Sequence, residues 1–278
     1  MNFYFLLPIL LTTAIRVDTY GGTIIAFGDS DNSPSVRFLN RFISRNIRKR
    51  LDFVCLLGNT QADFQRLADR VDTTFVTVLG NSDRDFLEDA VLPELDPRII
   101  LPSLSFMEPR EIEYDTDEFI CVWGIDSLSF SNETAANLDA ALTENKCLWN
   151  VMTTHQPLFS FGEHRLDAEV VKFRSLVLPL VKRHNIHLVL AAHDRSTQVI
   201  HIEGSSAVLL VAGASTHVER GSISEVFPEN VGARLLWHND RINGLAIRVS
   251  YSRDSLVWEV VSVVDDDVLL TGLVNQDL

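Results

Sequence analysis

The chain has little positive charge. Its 24 Lys and Arg stand against 38 Asp and Glu, for a formal net charge of -14. Such a surface repels phosphate backbones and anionic lipid, which argues against nucleic-acid binding as its main role. Cysteine is scarce: Cys55, Cys121 and Cys147 are the three. So small and odd a number excludes a disulfide-dense secreted module. Cys55 lies inside an apolar run and reads as a buried thiol. Whether Cys121 and Cys147 pair is open at this point. Long apolar runs are lacking too: beyond the first residues no segment approaches the ~20 apolar residues of a membrane span. The last residues, Asn275–Leu278, match no anchor signal. Internal repeats and low-complexity linkers are absent, so residues 21–278 read as one domain.

What is present is an ordinary globular composition, 46% hydrophobic and 22% charged over 278 residues, enough for a sizeable core. Met1–Ala14 is an apolar run closed by small residues and without Lys or Arg. Residues 1–20 read as a secretory signal peptide, which would place the chain in the secretory pathway. One glycosylation sequon, Asn132-Glu133-Thr134, fits that location.

Apolar strands alternate with polar turns and helical patterns. Thr23–Phe27, Phe53–Leu57 and Thr74–Leu79 are strands, and residues 35–49 carry apolar positions at helical spacing. This repeat indicates βαβ units and a largely parallel sheet. Further on, Glu111–Tyr114 and Phe119–Trp123 pair as strands, and 132–145 forms a helix. Trp149–Thr154 is a strand, 166–185 a helix interrupted by Pro179, and Ile186–Ala191 a strand. The strand-rich remainder, from 197 on, suggests a second sheet packed on the first.

Five polar clusters each follow an apolar strand: Gly28-Asp29-Ser30-Asp31, Gly58-Asn59, Gly80-Asn81-Ser82-Asp83, Thr154-His155 and Ala192-His193-Asp194-Arg195. Sites of open α/β sheets lie beyond the carboxyl ends of the strands. Asp29, Asn59, Asn81, His155 and His193 therefore converge, as oxygen and imidazole donors suited to Fe, Zn or Mn. Taken singly, each is more often structural than functional, and the order makes the set specific.

That order resembles the calcineurin-like metallophosphoesterases, and the flanks resemble their purple, tartrate-resistant acid phosphatases. His155-Gln-Pro-Leu-Phe-Ser-Phe-Gly-Glu-His164 is similar to the family's histidine loop, and His193-Asp-Arg-Ser-Thr-Gln198 to its GHDHNLQ segment. The resemblance spans residues 22–215. It implies a four-layer αββα sandwich, two mixed sheets flanked by helices. It also implies a two-metal site, with metal ligands at Asp29, Asn59, Asn81, His155 and His193. His164 is either a catalytic residue facing the site or a surface loop histidine.

The chain departs from the family at several places. Asn59 replaces the bridging aspartate, Ala62 the metal-binding tyrosine, Ser82 the histidine of GNHD, and Arg195 the second histidine of GHxH. An amide is a poor bridge, and Arg keeps its proton and cannot ligate. Arg195 is then expected to take the place of one metal and pair with Asp29. Asp31 is read as a solvated or helix-capping loop residue in preference to a substitute ligand. His184, His187, His201, His217 and His238 have no motif behind them, and Asp265–Asp267 reads as a turn. The pattern is similar to that of a gliding-associated pseudophosphatase of apicomplexan parasites. Two functions follow as expectations. One is a secreted pseudophosphatase that binds a protein partner. The other is an acid phosphatase hydrolysing phosphate monoesters with a reduced centre of one ion, or none.

Overall fold

The structure is a computed structural model describing residues 21–30, 36–47, 51–60, 71–83, 98–100, 110–114, 118–215, 218 and 232–275. The signal-peptide reading, Asp31, Ala62 and His217 lie outside these residues.

Two seven-stranded mixed sheets stack face to face. The first holds β1 (Gly22–Phe27), β2 (Leu51–Leu56), β3 (Thr74–Thr77) and β4 (Ile99–Ile100), all parallel. On the other side of β1 it continues antiparallel through β12 (Leu245–Tyr251), β13 (Ser255–Ser262) and β14 (Val268–Asn275). The second sheet runs β11-β9-β10-β8-β7-β6-β5. These are β5 (Arg110–Tyr114), β6 (Glu118–Ile125), β7 (Trp149–Thr154), β8 (Leu188–Ala191), β9 (Thr197–Ile202), β10 (Val208–Ala212) and β11 (Ala233–Asn239). The expected second sheet exists, and β9, β10 and β11 of the strands from 197 on belong to it, together with β5–β8 from the middle of the chain. The last three strands return to the first sheet, because β1 has an open edge that β12 fills.

Burial explains the layers. Every residue of β1 is buried, as in a strand covered on both faces. Ile24 and Ala26 join Val122, Val151 and Leu190 in the apolar layer between the sheets. Ile25 and Phe27 turn the other way, onto Leu39, Phe42 and Ile43 of α1 (Val36–Ile47). On the far side, Trp123, Met152 and Val189 pack under α2 (Asn132–Glu144) and α3 (Ala168–Arg183). The architecture is the αββα sandwich.

Pro179 does not interrupt α3. It sits on the solvent-exposed side, where the carbonyl it leaves unpaired meets water. Ser131 caps α2 in a reciprocal capping box with Thr134, and the sequon residue Asn132 is exposed on that first turn. His184 and Arg183, both 2.6 Å from Asp139, tie α3 to α2. His187 accepts the Asn150 backbone N–H and is structural.

Cys121 of β6 and Cys147 before β7 form a disulfide. It closes a loop with a sequence separation of 26 residues. Constraint of the unfolded chain over such a loop is worth about 3.5 kcal/mol. Cys121→Ser with Cys147→Ser is therefore expected to lower unfolding free energy by about that amount in urea melts. No change between oxidised and reduced protein would remove the bond from the account.

Candidate metal centre

The ends of β1, β2, β3, β7 and β8 meet where the two sheets converge. Backbone bonds fix this meeting. Gly28 N–H donates to Ala212 O at 3.0 Å, Asp29 N–H to Gly58 O at 3.0 Å, and Ala192 N–H to His155 O at 2.9 Å. Three site residues, Asp29, Asn59 and His193, adopt positive φ of 50°, 52° and 71°. Non-glycine residues rarely do so, and such conformations concentrate at functional sites. Gly58, at φ 88°, abuts His155: a Cβ there would lie 2.6 Å from its Nδ1.

Asp29, Asn59, His155 and His193 form one connected network. Asn59 Oδ1 accepts the Ser82 backbone N–H at 2.9 Å. A backbone N–H can only donate, so the amide orientation is fixed. Its Nδ2 then donates to Asp29 Oδ1 at 2.9 Å and toward His155 Nε2 at 3.4 Å. His155 Nδ1 lies 2.8 Å from Leu57 O, a carbonyl that can only accept, so Nδ1 holds the proton. His155 Nε2 is thus an acceptor, and it also takes the His193 Nδ1 proton at 3.2 Å. His193 Nε2 is left with a buried lone pair and no hydrogen-bond partner.

The electrostatics agree with neutral imidazoles. Burial pushes His155 below the ordinary histidine value. Burial, reinforced by His155 and His164, pushes His193 down to about 3. Burial raises the Asp194 carboxyl to about 6. Burial alone would lower His164, but the hydrogen bond to Asp167 and the charges of Asp194 and Asp167 outweigh it and raise it.

The other expected residues sit around this network. Asn81 is exposed, next to Ser82. His164 faces the site, its ring centroid 4.6 Å from that of His193. Arg195 does not pair with Asp29. Its side chain is exposed and makes no ion pair among the described residues. The Asn59 amide, not a guanidinium, stands against Asp29, because the bend after His193 turns Arg195 to solvent.

Sequence reasoning underused four positions. Buried Asp83 accepts the N–H groups of Asn59, Gly80 and Thr60 at 2.6, 2.9 and 3.1 Å, and so shapes two of the five loops. Asp194 Oδ1 accepts the His164 N–H at 3.1 Å, and Gln198 Oε1 the Phe161 N–H at 2.8 Å. Both hold the histidine loop. Asp167 occupies the N-cap of α3 without capping it, and its Oδ2 lies 2.9 Å from His164 Nδ1. An Asp before a helix is normally read as a cap, so nothing in the sequence marked it as more.

No family model matches the sequence. Among curated proteins the chain is similar to two of Arabidopsis thaliana. It is 21% identical to purple acid phosphatase 17 over 239 residues, 84% of this chain and 66% of the relative. It is 22% identical to purple acid phosphatase 4 over 208 residues, 74% of this chain and 56% of the relative. The chain thus covers about two thirds of the first relative's length and a little over half of the second's. Among solved structures, GAP50, the anchor in the inner membrane complex of Plasmodium, aligns with a TM-score of 0.68 at 16% identity, over 92% of this chain and 89% of its own. Purple acid phosphatase PPD1 of yellow lupin gives 0.65 at 10% identity, over 93% and 54%. A dimetal phosphatase of Danio rerio gives 0.58 at 12%, over 93% and 99%. The Danio rerio relative is named for a dimetal centre, which makes the fit of the residues at this site to two metals a direct question.

The residues present do not fit a dinuclear one. The bridge position holds an amide whose Nδ2 donates to Asp29 Oδ1 and points at His155 Nε2, so a donor stands where a bridging carboxylate would offer lone pairs to two cations. No helix among the described residues is long and apolar enough to cross a membrane. The chain has the calcineurin-like metallophosphoesterase fold, is similar in sequence to purple acid phosphatases, and shares its architecture with GAP50.

Proposed function

We propose that the chain is a secreted pseudophosphatase that binds a protein partner. One observation supports this above all: Asn59 Nδ2 donates into the space between Asp29 and His155. A bridging carboxylate there would orient two metals, a hydroxide and a phosphate. An amide with its N–H groups inward does the opposite, since it repels cations. Ser82 in place of an imidazole and the outward Arg195 add to the loss. Similarity to GAP50, itself described as an anchor, favours a binding role. The Cys121–Cys147 disulfide and the exposed sequon at Asn132 favour an oxidising, secretory location.

The second reading is a weak acid phosphatase with one metal. The unpartnered His193 Nε2 favours it, since water on a single metal can still be activated. Turnover of a phosphate monoester separates the two. The purified full chain is assayed with Fe, Zn and Mn beside a His155→Ala, His193→Ala control. We expect the two proteins to be indistinguishable. Metal-dependent turnover abolished in the control would establish the enzyme reading instead.

A further inference from the structure

The hydrogen-bond chain shows which nitrogen is available to a ligand. His155 Nε2 faces two donors, and the His193 Nδ1–H is engaged as a donor to it. His193 Nε2 is the remaining lone pair, on a side chain only 8% exposed. It points away from the Asn59 network, toward Asp167 Oδ2 at 3.9 Å. Asp167 Oδ2 in turn lies 2.9 Å from His164 Nδ1. One ligand atom from each of His164, Asp167 and His193 falls within 4.8 Å of the other two.

We propose that His164, Asp167 and His193 form a site for a single zinc-class divalent cation, displaced from the bridge position of the family. Bonds of about 2.0–2.2 Å in tetrahedral geometry put neighbouring ligand atoms about 3.3 Å apart. The 2.9 and 3.9 Å separations to Asp167 Oδ2 bracket that value, and with all three atoms within 4.8 Å of one another, side-chain rotations of about an ångström close the site. Two imidazoles and one carboxylate are a donor set for zinc, and the fourth position stays open.

The surroundings are those of a metal-binding histidine. A ligating imidazole normally donates its other N–H to a fixed acceptor, which sets its tautomer. His193 Nδ1 donates to His155, and His155 Nδ1 donates to Leu57 O. Two consecutive links thus present Nε2 unprotonated. Asp194 positions the His164 backbone, and Gly162 makes room for it, since a Cβ there would lie 2.7 Å from the Asp194 carboxylate. Asp29 and Asn59 are not part of this site, and Asp167 has no counterpart in the motifs described above.

The test is titration of the metal-free full chain with Co2+ and Zn2+. We expect one equivalent, a tetrahedral Co2+ absorption band, and competition by Zn2+. Asp167→Asn and His193→Ala should each weaken binding at least about tenfold, as loss of a ligand or its support does. Asp29→Asn should leave it unchanged. Asp167 is half exposed, so its variant keeps its fold, as melting in EDTA would verify. Absence of binding would overturn the proposal. Binding retained by Asp167→Asn but lost in Asp29→Asn would also overturn it, by returning the ion to the family position. The absorption is read without turnover, so an inactive protein that binds Co2+ here supports both readings. Turnover abolished by Asp29→Asn but not by Asp167→Asn would overturn both.

Discussion

Asn59→Asp is expected to destabilise the metal-free protein by about 3 kcal/mol and to make its stability depend on added Zn2+ or Mn2+. The native amide donates to Asp29 Oδ1 at 2.9 Å and approaches His155 Nε2 at 3.4 Å, while its oxygen takes the Ser82 N–H. Aspartate keeps the last bond and reverses the other two. Its second oxygen faces a carboxylate and an imidazole lone pair with no proton between them. Three acceptors around one point repel each other, and a divalent cation is the species that relieves them. Urea melts in EDTA and in excess metal measure both effects. A variant as stable as the parent in EDTA and indifferent to metal would show that the Asn59 amide does not hold this space. Adding Ser82→His and Arg195→His should then raise any phosphatase activity by orders of magnitude, since each catalytic group is typically worth ~10²–10⁴.

Asp83→Ala is expected to cost about 4 kcal/mol, with Asp83→Asn losing about half of that. The Asp83 carboxylate is 2% exposed and accepts three backbone N–H groups, from Asn59, Thr60 and Gly80. Alanine leaves three inward-facing donors without acceptors. An amide oxygen retains part of the set but presents N–H groups to the rest. The same bonds hold Asn59 at its positive φ of 52°, so the loop carrying the amide should relax as well. Loss of the Asn59 and Thr60 amide protection in hydrogen exchange would locate the effect. A cost under about 1 kcal/mol would mean that water replaces the carboxylate freely.

Most of the frame was legible because a buried parallel strand leaves a continuous apolar run that ends at a polar turn. β1, β2, β3, β7 and β8 all show it, and their ends place Asp29, Asn59, His155 and His193 together. β14 was not legible. Its exposed apolar residues lack clean alternation, and Gly272 interrupts it to admit the Trp258 ring, which a Cβ would meet at 2.0 Å. Which sheet the last strands join was hidden too, since pattern reports a strand's burial but not its neighbour. In the site, residue types were legible and directions were not. The sequence shows an amide at 59 and a guanidinium at 195. Only the backbone N–H of Ser82 decides which way the amide faces, and only the bend after His193 sends Arg195 outward. Asp167 was missed because a carboxylate before a helix has an ordinary explanation. Here that carboxylate makes no cap bond.

The central claim is that the Asn59 amide has replaced a two-metal bridge. Anomalous diffraction from crystals grown in excess Zn2+ or Mn2+ tests it most directly. The account predicts no metal astride residue 59, the Asn59 amide still donating to Asp29, and one ion among His164, Asp167 and His193. Two anomalous peaks about 3.5–4 Å apart on either side of Asn59, the spacing of a two-metal site, would contradict it.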